Sequence, residues 1–341
     1  MSVPPVREAR GRTAHVVRDL GAGDPGVVPS GDGPHAPAGP RPTGRRGGRS
    51  GSRWTALLFM APLLAYLVAF YAYPLYRNVD LSLHDYTIRA FVTGDAEFVG
   101  LQNHVDVVTS RLFDQAVFNT VVFTGVSLVF QYALGLALAV FFRRHFPLSM
   151  WLRALFLVPW LLPLIVSASA WAWMLNSENG VVNAFLALFG VDQVNWLTSP
   201  GWALASVTIA NIWLGIPFNL VILYAGLQNI PGELYEAAAL DGAGGWKQFT
   251  RITFPLLVPV STVTLLLGLI YTLKVVDIIW VMTSGGPAGA STTLAVWSYR
   301  EAFGTGRPDF SPAAAVGNLL ILVALAGGFL YLWLQRRQAR S

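Results

Sequence analysis

The stretch NIPGELYEAAALDGAGGWKQFTRITFPLLVP, residues 229–259, has the pattern of a helix, a turn and a second helix. Pro231 suits a first helical turn, and Glu233 lies where the positive end of a helix dipole favours an anion. The letters YEAAAL form helix readily, and Gly242, with two further glycines close behind it, predicts the end of that helix. A connection between two apolar segments that itself forms helices is unusual, because most connections are short and polar.

After Gly242, apolar side chains recur every three residues at Trp246, Phe249 and Ile252. This spacing predicts a second helix whose apolar stripe lies along a membrane surface. Pro255 and Pro259 then mark the start of a long apolar segment.

Six apolar stretches of 21 to 27 residues lie along the chain. Each is long enough to cross a hydrocarbon layer of about 30 Å as a helix. Lys274 and Asp277 are the only charged residues in all six. The sequence therefore predicts an all-α fold, a polytopic membrane protein with six transmembrane helices. The predicted spans are 54–76, 116–142, 155–175, 203–226, 257–279 and 312–334.

The composition excludes several classes of protein. Only 12% of the 341 residues are charged, and the mean hydropathy is +0.52. A soluble domain carries about 25% charged residues, so a soluble enzyme or a nucleic-acid binder is disfavoured despite a net charge of +5. The absence of cysteine excludes disulfides, thiol catalysis and Cys-ligated metals. The five histidines show no ligand spacing, so we expect no metal site.

Lysine and arginine are distributed unevenly between the loops. With the N-terminus inside, the inner segments carry 17 of them and the outer loops carry five. Cytoplasmic loops are enriched in these residues, so we expect a multi-pass protein of the cell membrane with both termini in the cytoplasm. We therefore interpret the net positive charge of the chain as a signal of membrane topology.

Residues 1–53 are rich in Gly, Pro and Arg and lack apolar periodicity, which predicts a disordered cytoplasmic tail. A second interpretation is an anionic-lipid anchor made by four arginines, Arg45, Arg46, Arg49 and Arg53. Residues 335–341 are predicted to form a short cytoplasmic tail at the other end.

The loop 229–255 resembles the cytoplasmic signature of the membrane subunits of binding-protein-dependent ABC importers, specifically those for carbohydrates. That signature reads E-A-A, three residues, G, nine residues, I, one residue, L-P. The matching residues are Glu236, Ala237, Ala238, Gly242, Ile252 and Pro255. Phe254 stands where the family has Leu, which exchanges one apolar residue for another.

The resemblance extends over nearly all of residues 54–334. It includes the stretches FMAPLLAYLVAFYAYPLYRNVDLSLHDY (59–86), FVGLQNHVDV (98–107) and KVVDIIWVMTSGGP (274–287). It implies the fold of a type I ABC importer permease that forms half of a translocation pore. The implied solute is a sugar or a related polyol or glycerol-phosphate-like molecule.

In such importers the E-A-A segment is a coupling helix that docks on a separate ATPase subunit. The expected ATPase-coupling residues are Glu236, Ala237, Ala238, Asp241, Gly242, Ile252 and Pro255. The implied partners are a second, homologous permease subunit in a heterodimer, two ATPase subunits, an extracytoplasmic solute-binding protein and the lipid bilayer, with no nucleic acid. The alternative interpretation is that this segment is an interfacial helix, in which the alanines are present only because they favour helix formation.

The sequence contains no P-loop, G-x-x-x-x-G-K-[ST], so we expect that this chain is not an enzyme. We expect it to bind no cofactor, and ATP to be used by the partner ATPase.

Polar side chains within membrane spans are costly and usually face a protein interior or a watery cavity. The candidates for the solute pathway are Asn211, Trp213, Asn219, Lys274, Asp277 and Asn318, with Gln131 as a further polar position. Side-chain amides can hydrogen-bond to the hydroxyl groups of a sugar, and an aromatic ring can pack on its C–H faces. Hydrogen bonding between helices is the alternative role for the asparagines. A structural ion pair or snorkelling is the alternative for Lys274 and Asp277, which are three residues apart.

An ion-coupled secondary transporter is the alternative function, and it should show paired discontinuous spans and midplane carboxylates. Asp277 is the lone acidic residue in the predicted spans and lies near a boundary, which counts against that alternative. A membrane-embedded enzyme is a third class, but the spans contain no cluster of His, Asp or Glu.

Overall fold

The computed structural model describes residues 51–338 except 145, 305, 307 and 308. The chain divides into two units, residues 1–59 and residues 60–341. The described part of the first unit, residues 51–59, is the beginning of a helix. Residues 1–50 of the tail that we predict to be disordered lie outside the described residues, whereas residues 51–53 are helical.

The described residues form helices and one short antiparallel ribbon, in which His84 pairs with Phe98 and Asp85 with Glu97. In chain order the elements are α1 Gly51–Leu67, a π-helical turn Val68–Ala72, α2 Tyr73–Leu83, β1 His84–Asp85, α3 Ile88–Thr93, β2 Glu97–Phe98, α4 Gln102–Thr109, α5 Phe113–Phe142, α6 Ser149–Leu161, α7 Leu164–Met174, α8 Val181–Ala187, α9 Pro200–Gln228, α10 Glu233–Leu240, α11 Gly245–Gln248, a second π-helical turn Phe249–Thr253, α12 Phe254–Leu273, α13 Asp277–Thr283, α14 Leu294–Phe303 and α15 Phe310–Gln338.

Five helical segments of the described chain are long and apolar enough to cross a membrane, and a strongly bent helix pair makes a sixth if it counts as one span. The five are Leu57–Leu83, Phe113–Phe142, Pro200–Gln228, Gly245–Leu273 and Phe310–Trp333, and the pair is Ser149–Leu161 with Leu164–Met174. Each corresponds to one of the six predicted apolar stretches. The all-α fold class with about six crossings is therefore confirmed.

The third apolar stretch is not one continuous helix. Helices α6 and α7 meet at an angle of 96°. Leu162 has an extended backbone, with φ −77° and ψ 143°, and Pro163 follows it. A proline disfavours helical geometry at the preceding residue, so Leu162 breaks the span predicted at 155–175.

The fifth apolar stretch is also interrupted. Helix α12 ends at Leu273, and α13 begins at Asp277. Residues 274–276 therefore interrupt the span predicted at 257–279 close to its end. On its other side this helix is longer than predicted, because it starts at Gly245. The apolar stripe and the span therefore belong to one helix.

Two π-helical turns precede prolines at the same offset. Val68–Ala72 lies two residues before Pro74, and Phe249–Thr253 lies two residues before Pro255. A proline cannot donate the regular helical hydrogen bond, and a π-type turn accommodates the carbonyl left without its partner. Both helices thereby continue through their prolines. Helix α15 ends at Gln338, so residues 335–338, which we predict to be part of the C-terminal tail, are helical.

Helices α5 and α9 approach closely at two glycines. A Cβ at Gly135 would lie 2.4 Å from the Cβ of Asn219, and a Cβ at Gly215 would lie 2.2 Å from the amide of Gln131. Small residues of this kind let membrane helices pack backbone to backbone. This contact determines where the polar side chains of α9 lie relative to α5.

Two buried apolar clusters lie along the α5 and α9 pair. The first contains Phe123, Val207 and Leu214 together with Ile278 and Ile279 of α13. The second lies towards the other end and is made by Leu136, Phe142, Leu220, Leu223 and Leu257, among others. Tyr235, Phe249 and Ile252 pack against the second cluster, so it attaches the loop 229–255 to the helices.

Candidate functional site

A cavity of about 420 Å³, named here the α9 cavity, opens beside α9. Its walls come from α5, α6, α7, α9, α12 and α13, so six helices converge on it. The lining residues are Gln131, Trp160, Leu164, Asn211, Leu214, Gly215, Phe218, Gly268, Tyr271, Thr272, Lys274, Val275, Asp277 and Ile278. The volume falls within the range of small-molecule sites.

Two buried amides form the polar wall of the α9 cavity. The Asn211 side-chain amide donates to the Ser127 hydroxyl over 2.9 Å. The Gln131 side-chain amide donates to the backbone carbonyl of Asn211, also over 2.9 Å. Gly215 provides the room for Gln131, since any Cβ there would collide with it. Because each amide is held by the protein, its orientation towards the cavity is fixed.

The break between α12 and α13 contributes the charged residues of the cavity. Lys274 caps the end of α12 and Asp277 begins α13, so the two do not share a helix face. Within the described part of the chain no ion pair joins them, and the structural ion pair considered from the sequence is not formed. The Lys274 ammonium instead lies 5.0 Å from the centre of the Tyr271 ring.

An aromatic wall faces the amides. The rings of Trp160 and Phe218 meet edge to face with centroids 6.3 Å apart, and Phe218 meets Tyr271 in the same way at 5.7 Å. Sequence reasoning missed these three residues because aromatic side chains in an apolar stretch look the same whether they face lipid or a cavity. The available signal was the proline after Leu162, because a helix break indicates a cavity.

Three of the residues predicted for the solute pathway, Trp213, Asn219 and Asn318, do not line the α9 cavity. Trp213 packs edge to face on Trp171 with ring centroids 5.9 Å apart. The Asn219 amide donates to a backbone carbonyl of its own helix one turn earlier. The Asn318 amide donates to the Ser82 hydroxyl over 2.8 Å and so joins α15 to α2. The structure brings Asn211, Lys274 and Asp277 together at the cavity, and the part that the other three play in transport stays a prediction.

The loop 229–255 forms the predicted helix, turn and helix. Asp241 caps α10, and Gly242 follows with a left-handed φ of +74°. The Gly242 N–H donates to the Ala239 carbonyl over 3.0 Å, and the Ala243 N–H donates to the Ala238 carbonyl over 2.8 Å. These two bonds are those of a Schellman cap, in which glycine adopts the positive φ at low cost.

Most of the predicted coupling residues are exposed on this loop. Five of them are exposed, namely Glu236, Ala237, Asp241, Gly242 and Pro255, while Ala238 and Ile252 are half-buried. Leu240 is 91% exposed and Trp246 is 78% exposed beside them. Tyr235 anchors the helix from the opposite side, because its hydroxyl and that of Thr253 are hydrogen-bonded at 2.9 Å. The structure thus positions α10 firmly and leaves its outer face open.

Residues 131–340 match the family described as binding-protein-dependent transport system inner membrane component. The chain belongs to this family. The matched region includes the whole loop 229–255 and every lining residue of the α9 cavity. The permease is therefore a multi-pass membrane protein of a transport system rather than an enzyme.

Curated relatives agree with this assignment. The permease is 38% identical over 276 residues to the trehalose/maltose transport system permease protein MalF of Thermococcus litoralis, a match that covers 81% of this chain and 91% of the relative. It is 36% identical over 251 residues to the sulfoquinovosyl glycerol transport system permease protein SmoG of Agrobacterium fabrum, with 74% and 81% covered. It is 35% identical over 280 residues to the sn-glycerol-3-phosphate transport system permease protein UgpA of an Escherichia coli strain, with 80% and 91% covered.

Solved structures give the same family. A bacterial ABC transporter involved in the import of the acidic polysaccharide alginate matches with a TM-score of 0.71 and 26% identity, covering 84% of the permease and 96% of that chain. The alginate transporter in complex with a periplasmic protein that holds an alginate pentasaccharide matches equally well, at 0.71 and 25% identity, covering 85% and 97%. The permease is thus of the ABC importer type, and the secondary-transporter alternative is not favoured.

Proposed function

We propose that the permease forms half of the pathway of an ATP-driven importer for a sugar, or for a related polyol or glycerol-phosphate-like solute. The observation that carries the solute class is the α9 cavity, in which fixed amides face an aromatic wall. The names of the relatives above, which transport sugars and glycerol derivatives, support this choice.

The chemistry of the cavity suits a polyhydroxylated molecule. The amides of Gln131 and Asn211 offer hydrogen-bonding groups to hydroxyls, and Trp160 and Tyr271 offer flat surfaces to the C–H faces of a sugar ring. Lys274 adds one positive charge to the cavity wall. Since it is not paired with Asp277, it is available to a phosphate, sulfonate or carboxylate carried by the solute.

A tryptophan pair on α6 tests the solute pathway. Trp160 lines the cavity, whereas Trp151 lies on the same helix, is 70% exposed and does not line it. Losing the flat surface that Trp160 offers to a sugar ring costs about 1.5 kcal/mol, so Trp160→Ala should raise the apparent KM for solute uptake about tenfold. Trp151→Ala should leave the apparent KM unchanged. Equal uptake kinetics in the two variants would contradict a pathway along this wall.

The complex proposed around the permease contains a second, homologous permease in a heterodimer, two ATPase subunits and an extracytoplasmic solute-binding protein. The alginate complex, which includes a periplasmic protein, supports the last of these partners. We propose that α10 docks on the ATPase and that ATP is bound and hydrolysed there. In this scheme the permease itself binds no cofactor.

One continuous helix connects the proposed docking segment with the proposed solute site. It runs for 29 residues from Gly245 to Leu273, about 43 Å at 1.5 Å per residue. One end adjoins Gly242 and α10, and the other end places Tyr271 and Lys274 in the wall of the α9 cavity. Movement of α10 by an ATPase would therefore reach the cavity through a single continuous helix.

The orientation follows from the charge distribution, and we propose that both termini and α10 are cytoplasmic. Reporter fusions after residues 98, 179 and 338 test this proposal. The first two should report an extracytoplasmic position and the last a cytoplasmic one, and the reverse pattern would contradict the orientation.

A further inference from the structure

A second cavity, of about 340 Å³, lies where the end of α5 meets the loop 229–255. It shares no lining residue with the α9 cavity. Its lining residues are Val140, Arg143, Arg144, Tyr235, Gly245, Gln248, Phe249 and Thr253. We name it the arginine cavity.

The guanidinium of Arg143 is held in place by the tyrosine below it. Its central carbon lies 3.8 Å from the centre of the Tyr235 ring. The Tyr235 hydroxyl is in turn hydrogen-bonded to Thr253. The backbone N–H of Arg143 donates to the Ala139 carbonyl, which fixes the backbone of Arg143 at the end of α5. Stacking on an aromatic ring leaves the N–H groups at the edge of the guanidinium free to bind in its own plane.

The positive charge in the arginine cavity is not neutralised by the described part of the chain. Neither Arg143 nor Arg144 forms an ion pair there. The acidic residues of the neighbouring helix and its cap, Glu233, Glu236 and Asp241, are exposed and do not pair with them. A basic residue at a helix C-terminus is favourable for the helix dipole. That effect explains the charge of Arg143 but neither the cavity nor the second arginine.

The surroundings of the cavity are those of a membrane–water boundary. Phe141, Trp246 and Phe254 are 50%, 78% and 44% exposed around it, at the ends of two long apolar helices. Aromatic side chains concentrate at the level of lipid headgroups. A phosphate is the anion available at this level, and a pair of guanidinium groups suits its geometry.

We propose that the arginine cavity binds a phosphate group through Arg143 and Arg144, with the headgroup of an anionic membrane lipid as its source. A phosphate bound there would bridge the end of α5 and, through the stacked Tyr235, the base of α10. The site goes beyond the proposed transport function, and binding is measurable whether or not transport occurs.

The test uses the full-length permease in nanodiscs of phosphatidylglycerol and phosphatidylcholine, from which retained lipid is counted by native mass spectrometry. Losing one charge-assisted contact weakens binding about tenfold or more. The double variant Arg143→Gln and Arg144→Gln should therefore retain at least about tenfold less phosphatidylglycerol. Arg251→Gln is the matched control, because Arg251 is exposed on the same loop and does not line the cavity. Arg144→Gln alone, which leaves the stacked arginine in place, should also reduce retention if the double variant does not fold.

A second arm distinguishes the two sources of phosphate. Inorganic phosphate is titrated into the detergent-solubilised permease while Tm is followed. An arginine-dependent rise in Tm without retention of phosphatidylglycerol supports the phosphate site but assigns it to free phosphate. Equal lipid retention and equal Tm shifts in all variants would overturn the proposal. So would unchanged binding together with a loss of ATPase co-purification, because the arginines would then face a partner protein.

Discussion

At the scale of single residues, Gly242 has a conformational role in the structure and a place in the proposed ATPase contact. Its φ of +74° ends α10 with a Schellman cap, and a Cβ placed on it would meet nothing within 4 Å. A lack of room for a side chain is therefore not the reason for glycine at this position. The backbone conformation requires it, and Leu240, exposed two residues earlier, belongs to the surface that we propose as the ATPase contact.

Gly242→Ala should destabilise the end of α10 by about 1 kcal/mol, because an L-residue is strained at this φ. Gly242→Asp should in addition place a charged side chain in the proposed ATPase contact and reduce both co-purification of the ATPase and solute uptake. Gly244→Ala is the control, since Gly244 has a φ of −67° and its Cβ would also meet nothing. Equal loss of ATPase association in the Gly242 and Gly244 variants would argue against this role.

Glu236 carries the one charge of the predicted E-A-A signature, and its side chain is exposed. Glu236→Lys should remove a charge-assisted contact worth about 1.5 to 3 kcal/mol, so association with the ATPase should weaken about ten- to hundredfold. Glu178→Lys makes the same charge change at an exposed position between α7 and α8 and should have no effect on association. Titrated co-purification measures both variants, and normal association of the Glu236 variant would show that this contact is not made.

At the scale of elements, breaks in two apolar helices create the α9 cavity. The bend at Leu162 brings Trp160 and Leu164 to its wall from either side, and the gap between α12 and α13 brings Lys274 and Asp277. Each break leaves irregular backbone beside a cavity, which is where such backbone is tolerated within a membrane. The close packing of α5 on α9 supplies the opposite, rigid wall.

That close packing predicts opposite effects of two glycine substitutions on α5. Gly135→Ala should destabilise the permease by about 1 to 3 kcal/mol, because its Cβ would lie 2.4 Å from the Cβ of Asn219. Gly125→Ala should be neutral or stabilise by up to about 1 kcal/mol, since no atom lies within 4 Å of its Cβ and alanine favours helix. Thermal unfolding in detergent compares the two, and equal Tm values would contradict the contact between the helices.

At the scale of the whole molecule, the features set by local sequence were the ones predicted correctly. The number of crossings followed from long stretches with almost no charged residues, and the end of α10 followed from Gly242. The cavity could not be predicted in the same way, because it depends on which side of each helix faces a neighbour. Asn211 and Asn219 look alike in the sequence, yet Asn211 lines the cavity and Asn219 bonds to its own helix.

The central proposal is that ATP hydrolysis by a partner drives solute through this permease. The most direct measurement is solute uptake into proteoliposomes that contain the permease, its partner permease and the ATPase subunits, with the binding protein outside and ATP inside. Uptake should require ATP, the ATPase and the binding protein together, and ionophores that collapse proton and sodium gradients should leave it unchanged. Uptake by the permease without ATPase, abolished by those ionophores, would contradict the proposal and indicate an ion-coupled transporter.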